Sequence, residues 1–129
     1  MREPFWVEKK DVLAVHGELL AWFGGLEGLR DPGLLDSALH KPKLKFQYEN
    51  ASFFVMAAAY AVGIVGNHPF LDGNKRTGFV VAALFLEING FPLTVPEEEA
   101  VLMTRGLAAG EIEEAAYAKW LEAGTSAES

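Results

Sequence analysis

A chain of 129 residues, half of them hydrophobic, is the size of one domain and carries enough apolar material for a core without covalent staples. The lack of cysteine excludes disulfides and thiolate metal sites, and a formal net charge of −7 argues against a broad electrostatic footprint on nucleic acid. No early apolar run follows positive charges, so no signal peptide is expected and a cytoplasmic setting fits best.

In chain order, Val12, Val15, Leu19 and Trp22 recur at three- and four-residue spacing, widened by Leu20 and Phe23, and predict an amphipathic helix over about residues 8–23, stopped by Gly24. Glycines then supply a turn. Asp31 reads as an N-cap with Pro32 at the first helical position, opening a short helix that ends before Pro42. Residues 42–50 read as a loop.

From Asn50 to about Gly66 apolar residues fall on every face, the pattern of a helix at the centre of a bundle. This stretch is shorter than the roughly 20 residues that span a bilayer, so no membrane segment is expected. After a polar segment a second apolar helix runs from Thr77 to about Asn89, where Asn-Gly stops it. Pro96 and three glutamates open a helix that ends at Gly110, and "EIEEAAYAKWLEAG" opens in the same acidic way. The tail "TSAES" reads as frayed. The expectation is an all-α, compact single domain over residues 1–129, a bundle of about six helices.

The segment "HPFLDGNKRT", residues 68–77, gathers a histidine, a carboxylate, an amide and two cations between the two most apolar helices. Gly73 and Asn74 precede a helix, so the orphan N–H groups of Lys75, Arg76 and Thr77 should point out of its N-terminus and favour a phosphate. Gly73 lets the backbone approach closely, and Asn74 can cap the turn or touch the ligand. Lys75 and Arg76 face the positive end of the helix dipole and so call for a negative partner such as a polyphosphate. Asp72 could pair with a cation or hold Mg²⁺, which usually takes one or two carboxylates plus substrate phosphates. A neutral His68 could take a proton from a hydroxyl attacking the phosphate, while Phe70 anchors the loop. The alternative is a merely polar turn closed by a capping histidine and an Asp–Arg pair. No Walker pattern is present, and one histidine without cysteine makes zinc a poor fit.

"HPFLDGNKR" resembles the signature loop of the Fic/Doc superfamily, His-Pro-Phe-x-Asp/Glu-Gly-Asn-Gly/Lys-Arg, and "GGLEGLRDPGLLDSAL" is similar to the segment preceding the motif in Doc-type, death-on-curing toxins. The resemblance covers most of the chain up to about Pro92 and implies an all-helical Fic/Doc fold. Adenylylating members usually carry glycine where this chain has Lys75, whereas Doc-type toxins carry lysine. In the Doc group lysine goes with an inverted ATP and transfer of the γ-phosphate to a threonine of elongation factor Tu, halting translation. The resemblance implies His68 as general base, Asp72 as the Mg²⁺ ligand, and Gly73, Asn74, Lys75 and Arg76 as the phosphate clamp, with Arg76 also counted among the catalytic residues. ATP and Mg²⁺ are the implied cofactors. Pro69 and Gly73 match the adenylylating motif as well, so transfer of AMP to a protein hydroxyl is the alternative, and a non-catalytic nucleotide- or peptide-binding module the second.

Many Fic enzymes restrain themselves with a helix carrying Ser/Thr-x-x-x-Glu-Gly/Asn. Here Phe23 and Lys45 stand at the hydroxyl position before Glu27-Gly28 and Glu49-Asn50, so no built-in inhibitor is evident. A Doc-like toxin implies instead a Phd-like antitoxin, which would be the DNA-binding partner and whose disordered tail folds as a helix in an apolar groove.

Among the remaining residues, His16 at the edge of the first apolar stripe reads as structural, and His40 beside Lys41 as a dipole partner at a helix C-terminus. Arg30 and Asp31 lie where the resemblance places the mouth of the active site; a turn salt bridge or an N-cap is their expected role. Trp22, Trp120, Phe53, Phe54, Phe79 and Phe85 read as core, and Glu97 as a solvated helix start.

Overall fold

The computed structural model describes residues 2–125, and the last residues of the expected frayed tail lie outside that range. Six helices follow one another: α1 (Lys9–Phe23), α2 (Pro32–Glu49), α3 (Phe53–Asn67), α4 (Asn74–Ile88), α5 (Glu97–Ala108) and α6 (Glu114–Ala123). Apart from isolated antiparallel bridges at Leu29–Phe70 and Leu93–Thr125, no strand pairing occurs among the described residues. The all-α class and the number of helices agree with the sequence expectation.

The helix with apolar residues on every face is the central one. α3 packs against α2, α4, α5 and α6, and Met56, Ala57, Ala58, Tyr60, Ala61 and Ile64 along it are fully buried. Small residues let its neighbours close in. A Cβ at Gly63 would lie 2.9 Å from the Ala38 Cα and carbonyl oxygen on α2, and one at Gly78 on α4 would lie 2.8 Å from Val65 Cγ2. Tyr60 ties the N-terminal segment to this core: its hydroxyl donates to Val7 O at 3.1 Å and accepts from Val7 N–H at 3.0 Å.

Several boundaries differ from the sequence reading. α2 runs through Pro42 to Glu49, so residues 42–49 are helix and His40 sits mid-helix and exposed, without a C-terminus to serve. Proline inside a helix forfeits a hydrogen bond and costs about 3 kcal/mol. Leu35, Ala38 and Pro42, spaced i, i+3 and i+7, form the buried face of α2, and that burial offsets the loss. α3 begins at Phe53 rather than Asn50; Ser52 Oγ caps it by accepting from Val55 N–H at 3.2 Å, while Asn50 is the left-handed C-cap of α2. α4 begins at Asn74, so Asn74, Lys75 and Arg76 are its first turn, ahead of the expected start at Thr77.

The aromatic expectation fails at Trp22, which is 78% exposed, although Phe85 is fully buried. α1 meets the body through Val12 and His16, and its last turn, with Trp22 and Phe23, projects beyond it toward the start of α4.

Candidate active site

The polar segment is the link between the two central helices. Its first residue, His68, is the C-cap of α3 in the left-handed conformation (φ 51°, ψ 56°), with an exposed side chain. Pro69 and Phe70 turn inward, and Phe70 is 2% exposed. Asn74 closes the turn across four residues. Its amide nitrogen donates to Phe70 O at 3.0 Å and its amide oxygen accepts from Phe70 N–H at 3.0 Å, so both polar atoms of the amide are tied to the loop. Its backbone N–H, at the first position of α4, is free.

Asp72 is exposed at the mouth of the loop. One carboxylate oxygen accepts from Gly73 N–H at 3.0 Å and the other from Leu26 N–H at 3.2 Å. No Asp72–Arg76 pair closes the turn. The 24–28 loop lies against this carboxylate closely enough that a Cβ at Gly25, whose φ is +126°, would fall 2.9 Å from Asp72 Oδ2.

His16 supports the loop from below. It is buried, its Nε2 donates to the Asp72 carbonyl at 2.8 Å, and its ring stacks on Phe70 with centroids 3.7 Å apart and planes 9° from parallel. The sequence reading made His16 structural without locating this contact, and no local signal could have found it, because the partners lie 56 residues apart.

Gly73, with φ +78°, is the N-cap of α4. The N–H of Thr77 bonds back to Gly73 O at 3.0 Å, so the unbonded donors of this terminus are those of Asn74, Lys75 and Arg76; the expected trio shifts by one residue. Lys75 and Arg76 are exposed, and the ion pairs among the described residues include neither. Arg76 instead lies over the ring of Phe23, 4.0 Å from its centroid, which gives the half-exposed Phe23 a task that the core reading missed.

These donors open into a cleft of about 520 Å³ between the ends of α1 and α4 and one face of α5. Asp72, Gly73, Asn74, Lys75 and Arg76 line it together, with Leu19 and Phe23 on one side and Val101 and Arg105 on the other. His68 stands at the far end of the same loop, outside the lining. The structure thus gathers five of the six expected site residues in one cavity, and the sixth, His68, is not among its lining.

Arg30 and Asp31 divide the roles expected of them. Asp31 caps α2, its carboxylate accepting from Leu34 N–H at 3.2 Å. Arg30 forms no salt bridge among the described residues; its side chain donates to the carbonyls of Asn67 and His68. The segment around it pairs with the motif: Leu71 N–H donates to Gly28 O at 3.1 Å, and the N–H groups of Arg30 and Asp31 both donate to Pro69 O, at 2.7 and 3.1 Å.

A Mg²⁺ ion fits this donor set. Each Asp72 oxygen accepts one N–H bond and retains a lone pair, and no group of three or more metal-ligating side chains exists among the described residues. One carboxylate beside a helix end with unbonded N–H groups suits an ion that completes its shell with water and substrate oxygens. It does not suit zinc.

The family model for the Fic/DOC family matches residues 6–86, from just before α1 through nearly all of α4. The protein kinase Doc of Escherichia phage P1 is 35% identical over 107 residues, covering 82% of this chain and 84% of that protein. The toxin Doc of Mycolicibacterium smegmatis is 38% identical over 90 residues, covering 68% of this chain and 67% of that one. With the motif on the link between two buried helices and a Doc-type lysine in the first turn of α4, the chain belongs to the Fic/DOC family and is Doc-like.

Proposed function

We propose that residues 1–129 form one Doc-like toxin domain that transfers the γ-phosphate of ATP to a protein hydroxyl, a threonine of a translation factor such as elongation factor Tu, and thereby inhibits translation. The observation that carries this reading is Lys75: an exposed cation with no carboxylate partner among the described residues, at the positive end of α4 beside three unbonded N–H groups. Two cations there are favourable only when an anion completes the site.

In this reading the N–H groups of Asn74, Lys75 and Arg76 hold phosphate oxygens, and the Lys75 and Arg76 side chains balance their charge. Asp72 holds Mg²⁺, which when bound draws charge from the phosphate oxygens. His68 accepts the proton of the attacking hydroxyl. The hydroxyl oxygen forms a bond to the γ-phosphorus as the bond to the β–γ bridging oxygen breaks, and ADP leaves with that electron pair. His16 and Asn74 keep the loop from shifting as charge moves.

In this reading the toxin is held by a separate Phd-like antitoxin. Trp22, Phe23, Leu26 and Leu71, all at least half exposed, supply apolar surface beside the loop for that partner. Function takes place in the cytoplasm, and no described helix is long and apolar enough to cross a membrane.

The deciding experiment incubates the protein with Mg²⁺, ATP and purified elongation factor Tu and weighs the product. A phosphate adduct that His68→Ala slows by roughly 10²- to 10⁴-fold supports the reading. An AMP adduct assigns adenylyl transfer instead. Growth arrest that survives His68→Ala but not Lys75→Ala makes the protein a binding module.

A further inference from the structure

We infer that Arg30 is a positioning residue for His68, fixing the direction of its side chain through the two peptide planes that flank it. The inference rests on the proposed role of His68 as the base.

One residue bonds three successive carbonyls at the end of α3. Arg30 Nη2 donates to Asn67 O at 2.9 Å, Nε donates to His68 O at 2.7 Å, and the main-chain N–H donates to Pro69 O at 2.7 Å. Carbonyls at a helix C-terminus have no intrahelical donor, and a cation there also meets the negative end of the dipole.

The particular consequence lies in the dihedral angles. The peptide plane before the His68 Cα carries the Asn67 carbonyl and the plane after it carries the His68 carbonyl, so φ and ψ of His68 are the rotations of these planes about one atom. Residue 69 is proline and brings no N–H to the second plane, which leaves the His68 carbonyl as that plane's only hydrogen-bonding group. Because the guanidinium is planar and rigid, its two donors hold both planes in a fixed relation. His68 has φ 51° and ψ 56°, a left-handed conformation that few residues with a Cβ adopt, histidine among the more frequent; its N–H also bonds Ile64 O at 3.2 Å and helps hold the first plane, so the second plane is the one that rests on Arg30. With both planes held, the Cα–Cβ bond has one direction, and the exposed imidazole leaves the loop at a set angle.

The nucleotide-binding groups are tied down separately. Asp72 and the first turn of α4 rest on His16 and Asn74, with no bond to the Arg30 side chain. The Arg30 main-chain bond to Pro69 also survives substitution. The segment carrying Arg30 also reaches Asp72 and Leu71, but through the main chain of Leu26 and Gly28, so loss of the guanidinium leaves those bonds in place and acts first on the base.

The test compares wild type, Arg30→Lys and Arg30→Ala by steady-state transfer kinetics, thermal melting and the His68 three-bond HN–Hα coupling in NMR. Lysine keeps the charge but offers one point of attachment. Expected are a fall in kcat on the order of 10- to 100-fold in both variants, an ATP KM within about twofold of wild type, and loss of the left-handed coupling at His68 in Arg30→Ala. Partial recovery of kcat when guanidinium is added to Arg30→Ala, with no recovery from ammonium, supports the fork geometry. Wild-type kcat in both variants overturns the inference, as does a rise in KM matching the fall in kcat together with a lowered melting temperature. If the wild-type protein transfers nothing, the proposed function fails, while the coupling at His68 still decides whether Arg30 holds it.

Discussion

Asn74 shows how much of the site rests on single hydrogen bonds. Its side chain satisfies both backbone groups of Phe70, which is buried against His16, and Asn74 is itself buried. Removing the amide leaves a buried donor and a buried acceptor without partners, each costing about 1–3 kcal/mol. Asn74→Ala is expected to lower stability by about 2–4 kcal/mol in a denaturant titration and to release the loop. Asn74→Asp keeps the acceptor for Phe70 N–H but sets a carboxylate against the Phe70 carbonyl, and so falls short of full recovery. At this scale the chemistry of "HPFLDGNKRT" was legible in the sequence, since a glycine, an amide and two cations opening a helix describe an anion site in one dimension. The supports were not. His16, Phe23 and Arg30 reach the loop from elsewhere in the chain, and local periodicity carries no trace of a contact 56 residues away.

Among the elements, α2 is where the sequence reading departed furthest. Proline is a sound stop signal, yet the face formed by Leu35, Ala38 and Pro42 continues through it because burial outweighs one lost bond. Pro42 has no N–H to donate to Ala38 O, and Gly63 of α3 lies against that same residue. Gly63→Ala would gain about 1 kcal/mol of helix propensity. The new Cβ, however, lies 2.9 Å from backbone atoms of Ala38 that have no flexible end to yield. The clash wins, and the substitution is expected to destabilise by about 1–3 kcal/mol, read as a lower melting temperature. The unbroken apolar surface of α3 is a case where sequence and structure agree, since only a helix covered on all sides can carry it.

Across the molecule, two buried tyrosines make stability depend on alkaline pH. Burial pushes the Tyr117 hydroxyl from its ordinary value near 10 to about 12, partly offset by its hydrogen bond with Thr104 at 2.7 Å. Burial likewise drives Tyr60 strongly upward. The neutral phenol is the form the fold retains, so this contribution to stability is fully present below about pH 10. It falls as pH rises from about 10 to 12, because the unfolded chain loses these protons first. Tyr117 alone accounts for up to about 3 kcal/mol of that loss. Circular dichroism against pH should show cooperative unfolding in this window, shifted to higher pH in Tyr117→Phe.

The amino-acid sequence by itself determined the helical class and the central place of a helix over about residues 50–66, because these follow from periodicity and residue type within short windows, and the resemblance of its motif pointed to the family. Only the tertiary structure decided that α2 runs through Pro42, that Phe23 lies under Arg76, that Asp72 rests on His16, and that Arg30 bonds the carbonyls of Asn67 and His68. Each of these depends on bringing distant segments within hydrogen-bonding or van der Waals range. That proximity is set by how six helices pack, which no local pattern encodes.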